Sequence, residues 1–137
     1  RMIIFDSTFL IDLMLGKNNP KLKKCKYILN DIVESEEIFA TTFVSVLEIH
    51  NGAYGSENAE KEINKINEIL KVIPVLKFDD MYYSQYGKLS SYLKKKGTPI
   101  GKFDELIAAI ALCHNAKILT NNTRDFSRVP KLKIIDH

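Results

Sequence analysis

The sequence predicts an α/β fold with a largely parallel sheet. Two observations carry this. Short apolar runs of strand length are separated by longer segments whose apolar residues recur at helical spacing. Acidic residues also stand at the edges of these core elements. In open α/β folds, ligands gather at the carboxyl ends of the strands.

Met2 to Phe5 reads as a short buried strand. A helix follows, with Ser7 or Thr8 near its N-cap, Phe9, Leu10, Leu13 and Met14 apolar, and Gly16 as its expected end. Lys17 to Pro20 is a loop. Lys21 to Glu34 places Leu22, Cys25, Ile28, Leu29, Ile32 and Val33 on one helical face. Ile38 to Thr42 is the second strand, and a helix is expected from near Ser45, weakening at Asn51-Gly52. Glu57 to Val72 carries Ile63, Ile66, Ile69 and Leu70 at helical spacing. Val72 to Phe78 is strand-like, and Pro74 argues for a sheet edge. Asp79 is the expected N-cap of a long helix ending near Lys96-Gly97. After the Gly97–Gly101 loop, Phe103 to His114 is the most apolar helix, with Asn115 suited to cap it. Lys117 to Leu119 is a strand, Asn121 to Pro130 a loop, and Lys133 to Ile135 a last strand. No internal repeat or linker interrupts the chain, so residues 1–137 read as a single domain.

A chain of 137 residues can bury a core without a disulfide or metal staple. Its 45% hydrophobic and 27% charged content is that of a globular protein. No apolar run reaches the roughly 18 residues of a membrane span. The sequence goes straight into a strand, so no secretory leader is expected, and Arg1 suggests a replaced or trimmed start. Cys25 and Cys113 fit neither a disulfide framework nor zinc spacing, which makes a reducing cytoplasm the simple expectation. The net charge of +3 is compatible with a nucleic-acid partner but does not demand one.

Four acidic residues carry the chemistry. Asp6 follows the first strand, Glu48 lies in Ser45–Ile49, Asp104 opens the most apolar helix, and Asp125 lies after the strand that ends at Leu119. Carboxylates gathered from distant segments repel one another unless a cation sits among them. Hard oxygen ligands suit Mg²⁺ or Mn²⁺, and such clusters cut phosphodiesters. Each residue has a plainer reading when taken alone. Asp6 and Asp104 would serve as helix caps, Glu48 as a solvated helix residue and Asp125 as a turn-former. Asp12 is expected to face solvent. Glu105 should point about 100° away from Asp104, to a supporting or surface position. His50, His114 and His137 have no convincing partner pattern.

Taken together, these residues resemble the PIN-domain family, and within it the ribonuclease toxins of VapBC-type toxin–antitoxin systems. The resemblance covers nearly the whole chain. Its parts are Ile3–Asp12 with Asp6, Ser45 and Glu48 as a Ser-x-x-Glu element, Phe103-Asp104 with Leu106–Ala111, and Leu119–Phe126. No one motif is specific; four in order are. The resemblance implies a three-layer α/β/α sandwich with a short, mainly parallel sheet. It also implies a Mg²⁺- or Mn²⁺-dependent endoribonuclease acting on RNA, a cognate antitoxin and a homodimer. Asp6, Glu48 and Asp104 would form the acidic core. The fourth position falls to Asp125 or Asn122, with Asp125 preferred because Asn122 is uncharged. Ser7, Thr8 and Thr120 would hydrogen-bond the carboxylates or the scissile phosphate, and Asn122 a metal-bound water. Lys102 and Arg124, which flank acidic motifs, are the candidate RNA contacts. Tyr82, Tyr83, Tyr86 and Tyr92 suit packing better than base stacking. The early helices would form a groove for an antitoxin segment, whose basic side chain would compete with metal. Three other readings remain: an RNA-processing nuclease of the same family, a non-catalytic binding module, and a phosphoacceptor built on Asp6. The last lacks a second Asp two positions on.

Overall fold

The structure, a computed structural model, describes residues 2–137; Arg1, the first residue of the expected domain, lies outside them. The elements are β1 (Met2–Phe5), α1 (Ser7–Leu13), α2 (Pro20–Glu34), β2 (Ile38–Thr42), α3 (Phe43–Tyr54), α4 (Ala59–Leu70), β3 (Val75–Leu76), α5 (Tyr82–Lys95), α6 (Lys102–Cys113), β4 (Lys117–Thr120), α7 (Thr123–Phe126) and β5 (Lys133–Asp136). The five strands form one sheet in the order β3-β2-β1-β4-β5. Every pairing is parallel.

Side chains alternate across a strand, so β1 feeds two cores. Ile4 packs with Leu89, Leu93, Ile107 and Ile110, from α5 and α6. Ile3 and Phe5 pack on the other face with Phe9, Leu10, Cys25, Ile32 and Ile66, from α1, α2 and α4. Helix α3 contributes Val44 to the first core and Ile49 and Ala53 to the second. The sheet thus lies between two helical layers, as expected. No helix among the described residues is long and apolar enough to cross a membrane.

Several boundaries differ from the expected ones for local reasons. Helix α1 stops at Leu13, before Gly16, because its last turn tightens: the Met14 N–H bonds the Ile11 carbonyl at 3.0 Å. Helix α3 starts ahead of Ser45 because Thr42 Oγ1 accepts the Ser45 N–H at 3.2 Å and caps the helix. Asp79 does not cap α5. Its carboxylate accepts the Met81 N–H at 2.9 Å in a turn before the helix, and Met81 takes the N-cap position. The strand expected over residues 72–78 shrinks to Val75–Leu76, at the sheet edge that Pro74 requires. The loop expected over residues 121–130 contains the short helix α7, pinned by the fully buried Phe126.

Two helix ends matter for the site. Asn115 adopts a left-handed φ of 50° after α6. The Ala116 N–H bonds the Ala111 carbonyl and the Asn115 N–H the Leu112 carbonyl, a Schellman turn that delivers the chain into β4. Gly97, at φ 72°, closes α5 in the same way. With α6 turned tightly into β4, the N-terminus of α6 lies at the edge where the parallel strands end.

Candidate active site

β1 is the central strand, and the chain visits β2 and β3 on one side of it but β4 and β5 on the other. The crevice between the ends of β1 and β4 is therefore the switch point in strand order, where such folds bind ligands. Asp6 is the first residue past β1, and Thr120 is the last of β4. The Asp6 N–H bonds the Leu119 carbonyl at 3.2 Å, which continues the ladder to the lip of the crevice.

Asp6 is almost fully buried and is fixed from three sides. Its Oδ1 accepts from Thr8 Oγ1 at 2.6 Å and from the Phe9 N–H at 3.2 Å. Its Oδ2 accepts from Thr120 Oγ1 at 2.5 Å. Thr120 is itself oriented by the Asn122 N–H, which donates to its hydroxyl at 2.8 Å. Asp6 is also the N-cap of α1. Capping therefore leaves room for a role of Asp6 in a site, because the two readings do not compete. Burial pushes the Asp6 carboxyl above its usual range, while these hydrogen bonds favour the anion.

Asp104 lies in the first turn of α6, which brings it back over the same edge. Burial raises its carboxyl to about 6, and the negative charges of Asp6 and Asp125 add to the effect. The side-chain amide of Asn122 donates to Asp104 Oδ2 at 3.0 Å and to Asp125 Oδ2 at 3.2 Å. One neutral amide thus spans two carboxylates. Asn122 and Asp125, the two candidates for the fourth position, are hydrogen-bonded to each other, and Asn122 links Asp125 to Asp104.

Glu48 lies past the first turn of α3. Burial raises its carboxyl, the charges of Asp104 and Asp6 raise it further, and the Ser7 hydroxyl pulls the other way. Its Oε1 is buried without a hydrogen-bond partner. An unpartnered buried carboxylate oxygen is costly, and this one is free to take a further partner. The four acidic side chains therefore act on one another electrostatically at one sheet edge. They are nonetheless spaced loosely. The His, Cys, Asp and Glu group whose ligand atoms all lie within 4.8 Å of one another, among the described residues, is Asp12, Cys25 and His137.

The remaining expectations divide. Lys102 is exposed, with its Nζ 3.4 Å from Ser90 Oγ and 3.8 Å from Glu105 Oε1, and Arg124 is exposed on α7. Both stand beside the acidic residues rather than among them. Glu105 is not at the surface: it is buried against α5, where Ser90 Oγ donates to it at 2.7 Å. Asp12 does not face solvent either. It is buried, one turn after the buried Phe9, while Ile11 takes the exposed position. That three-residue spacing from Phe9 was the available signal. His114 hydrogen-bonds the Tyr82 hydroxyl at 2.8 Å, and His50 Nδ1 lies 2.8 Å from the Val46 carbonyl. His137, for which no partner was expected, contacts Thr8, Asp12 and Cys25.

The family model for the PIN domain matches residues 3–132. The chain belongs to the PIN-domain family. Among curated relatives it is 32% identical to ribonuclease VapC1 of Haemophilus influenzae, over 95% of this chain and 93% of that protein. It is 31% identical to the tRNA(fMet)-specific endonuclease VapC of Shigella flexneri, over 88% of this chain and 87% of that protein. Among solved structures, VapBC-1 from nontypeable H. influenzae superposes with a TM-score of 0.83 at 32% identity, covering 99% of this chain and 98% of that one. In this PIN domain the acidic residues at the sheet edge come from four separate elements or their flanks: β1, α3, α6 and α7.

Proposed function

We propose that this PIN domain is a VapC-type endoribonuclease, the toxin of a toxin–antitoxin pair, and that it hydrolyses RNA phosphodiesters at the Asp6 crevice. The observation that carries the reading is the uncompensated negative charge there. Glu48 Oε1 is buried without a partner, and Asp104 is raised to about 6 by burial and by its acidic neighbours. The ribonuclease names of relatives that align along nearly the whole chain support it.

The donor set fits a hard divalent cation. It is all oxygen, it is anionic, and one oxygen lacks any protein partner. Asp6, Asp104, Glu48 and Asp125 would hold Mg²⁺ or Mn²⁺, directly or through water. Loose carboxylate spacing suits an ion that keeps several of its waters. A bound cation would neutralise this charge, lower the pKa of water and steady the charge developing on the phosphate.

The protein's own contribution is orientation. Thr8, Thr120 and the Phe9 N–H hold both oxygens of Asp6, so the carboxylate has no rotamer to search when substrate arrives. Asn122 holds Asp104 and Asp125 in fixed relation. Glu48 would bind the cation or orient the attacking water through its free oxygen. Lys102 and Arg124 draw the RNA backbone to the rim by a sequence-independent, salt-sensitive attraction. The VapBC complex among its structural relatives supports a cognate antitoxin as the protein partner.

The test is incubation of purified protein with labelled total RNA, including a tRNA pool, in Mg²⁺, Mn²⁺ or EDTA. Cuts at discrete sites that need metal and vanish in Asp6→Asn and Asp104→Asn are expected. No cleavage of any RNA, with cation binding also absent by calorimetry, would overturn the nuclease reading in favour of a binding module. For the partner, co-expression with the product of the adjoining reading frame is expected to yield a stable complex and to relieve growth arrest.

A further inference from the structure

A second constellation adjoins the crevice at Thr8, whose hydroxyl oxygen lies within hydrogen-bond distance of both Asp6 Oδ1 and His137 Nε2. Asp12 comes from α1, Cys25 from α2, and His137 directly follows β5. His137 Nδ1 is 3.6 Å from Asp12 Oδ2 and 3.9 Å from Cys25 Sγ. The His137 side chain is 1% exposed, and with Asp12, Cys25 and Asn121 it lines a small pocket.

The hydrogen-bond network decides which way the imidazole presents itself. Thr8 Oγ1 spends its only proton on Asp6 Oδ1. The same oxygen accepts the Asn121 N–H at 3.0 Å and lies 3.2 Å from His137 Nε2. The hydroxyl can therefore only accept from the ring, so Nε2 carries the hydrogen. The Nδ1 lone pair then faces Cys25 and Asp12. This is how a ligating histidine is ordinarily set: the distal nitrogen donates to a fixed oxygen and the near one is free for an ion. Phe9 packs edge-on against the ring, with centroids 5.1 Å apart, and holds its plane.

We propose that Asp12, Cys25 and His137 form a zinc site, separate from the acidic crevice, that ties α1, α2 and the end of β5 together. The donors are one sulfur, one imidazole nitrogen and one carboxylate oxygen, the set that selects Zn²⁺ over Mg²⁺. Zinc–ligand bonds of about 2.0–2.3 Å in tetrahedral array place neighbouring donors about 3.3–3.6 Å apart. The two separations from His137, 3.6 and 3.9 Å, need to close by a few tenths of an ångström, and the Asp12 and Cys25 donors lie within 4.8 Å of each other. A water from the pocket would take the fourth position. A thiolate and a carboxylate would balance the ion's charge. Burial and the Asp12 carboxylate push the Cys25 thiol up to about 11, with Lys24 at the pocket rim opposing them, so Zn²⁺ would have to displace the thiol proton on binding. The site does not depend on the nuclease reading, because none of its three residues belongs to the acidic set.

The experiment uses the full chain, stripped of metal and then held in excess Mg²⁺ to fill the acidic site. Co²⁺ and Zn²⁺ are the probes, read by absorbance, calorimetry and thermal melting. One ion per chain is expected, with a thiolate-to-cobalt charge-transfer band that Zn²⁺ displaces and a melting temperature that Zn²⁺ raises. Asp104→Asn should retain all three signals. Cys25→Ala should lose the band, and Asp12→Asn should bind Zn²⁺ at least tenfold more weakly, each after its metal-free fold is verified by circular dichroism. The wild-type cobalt band reports on the site even if a variant fails to fold. No Zn²⁺ binding, a cobalt spectrum without thiolate character, or binding lost in Asp104→Asn but kept in Asp12→Asn would overturn the proposal.

Discussion

Thr120 donates its hydroxyl proton to Asp6 Oδ2 at 2.5 Å, across 114 positions of sequence. The two residues stand at the ends of adjacent parallel strands, and Phe5 pairs with Leu119 just before them. The strand register therefore sets the orientation of the most buried carboxylate in the crevice. Thr120→Val keeps the shape and removes both the donor to Asp6 and the acceptor of the Asn122 N–H. RNA cleavage is expected to fall by about 10- to 100-fold, as for other residues that orient ligands. The loss of stability should be near the ~1–3 kcal/mol of a broken buried hydrogen bond. A cleavage rate within twofold of wild type would remove Thr120 from the site.

Asp104 gives a pH prediction. Its carboxyl ionises at about 6 in the folded protein, against 3.8 ordinarily. Between those values the unfolded chain loses its proton first, so it binds fewer protons than the native state. Stability must then fall as pH rises from about 4 through 6. Asp104→Asn lacks this penalty. In EDTA the variant should melt above wild type at pH 7, and the gap should close by pH 4. Mg²⁺ should raise the wild-type melting temperature and leave the variant's nearly unchanged. A gap that does not vary with pH would refute the charge explanation.

Asn122 offers the complementary change. Asn122→Asp replaces the amide that donates to Asp104 and Asp125 with a third carboxylate beside them. Like charges at this range repel strongly when partly buried. The variant should be less stable than wild type in EDTA and gain more from Mg²⁺, as read by thermal melts across a Mg²⁺ titration. Equal Mg²⁺-induced shifts would show that Asn122 does not mediate between the two acids.

Phe126 anchors α7, the short helix that carries Asp125, and is fully buried beside Ile118 and Ile110. Phe126→Ala is expected to cost about 3–5 kcal/mol in urea unfolding, from lost burial and the cavity left behind. A cost below about 1 kcal/mol would mean that α7 is held by other contacts.

Lys102 and Arg124 are exposed beside the acidic residues. If they meet RNA phosphates, neutralising either should weaken RNA binding alike across sequences. The slope of log affinity against log salt should also fall, by about 0.7 per contact for single strands. The measurement is filter binding of the cleavage-deficient Asp104→Asn background at several salt concentrations. An unchanged slope would place the RNA track elsewhere.

The sequence determined the class of fold by itself, because strand and helix periodicities are local properties. Ile38–Thr42 came out with the expected bounds, and Asn115 was legible as a helix terminator because few other residues adopt its left-handed backbone. The order of the acidic motifs was likewise on the chain, and the family followed from them. Tertiary structure alone decided the rest. Asp12 read as a surface residue, and Glu105 as a supporting or surface one, because burial depends on what packs against a helix, and His137 and α5 lie outside the local sequence of each. Asp6, Glu48, Asp104 and Asp125 became one electrostatic unit only when the strand order β3-β2-β1-β4-β5 set the ends of β1 and β4 side by side. Burial raises the carboxyls of Asp6, Glu48 and Asp104, the acidic neighbours raise those of Glu48 and Asp104 further, and neither effect exists along an extended chain.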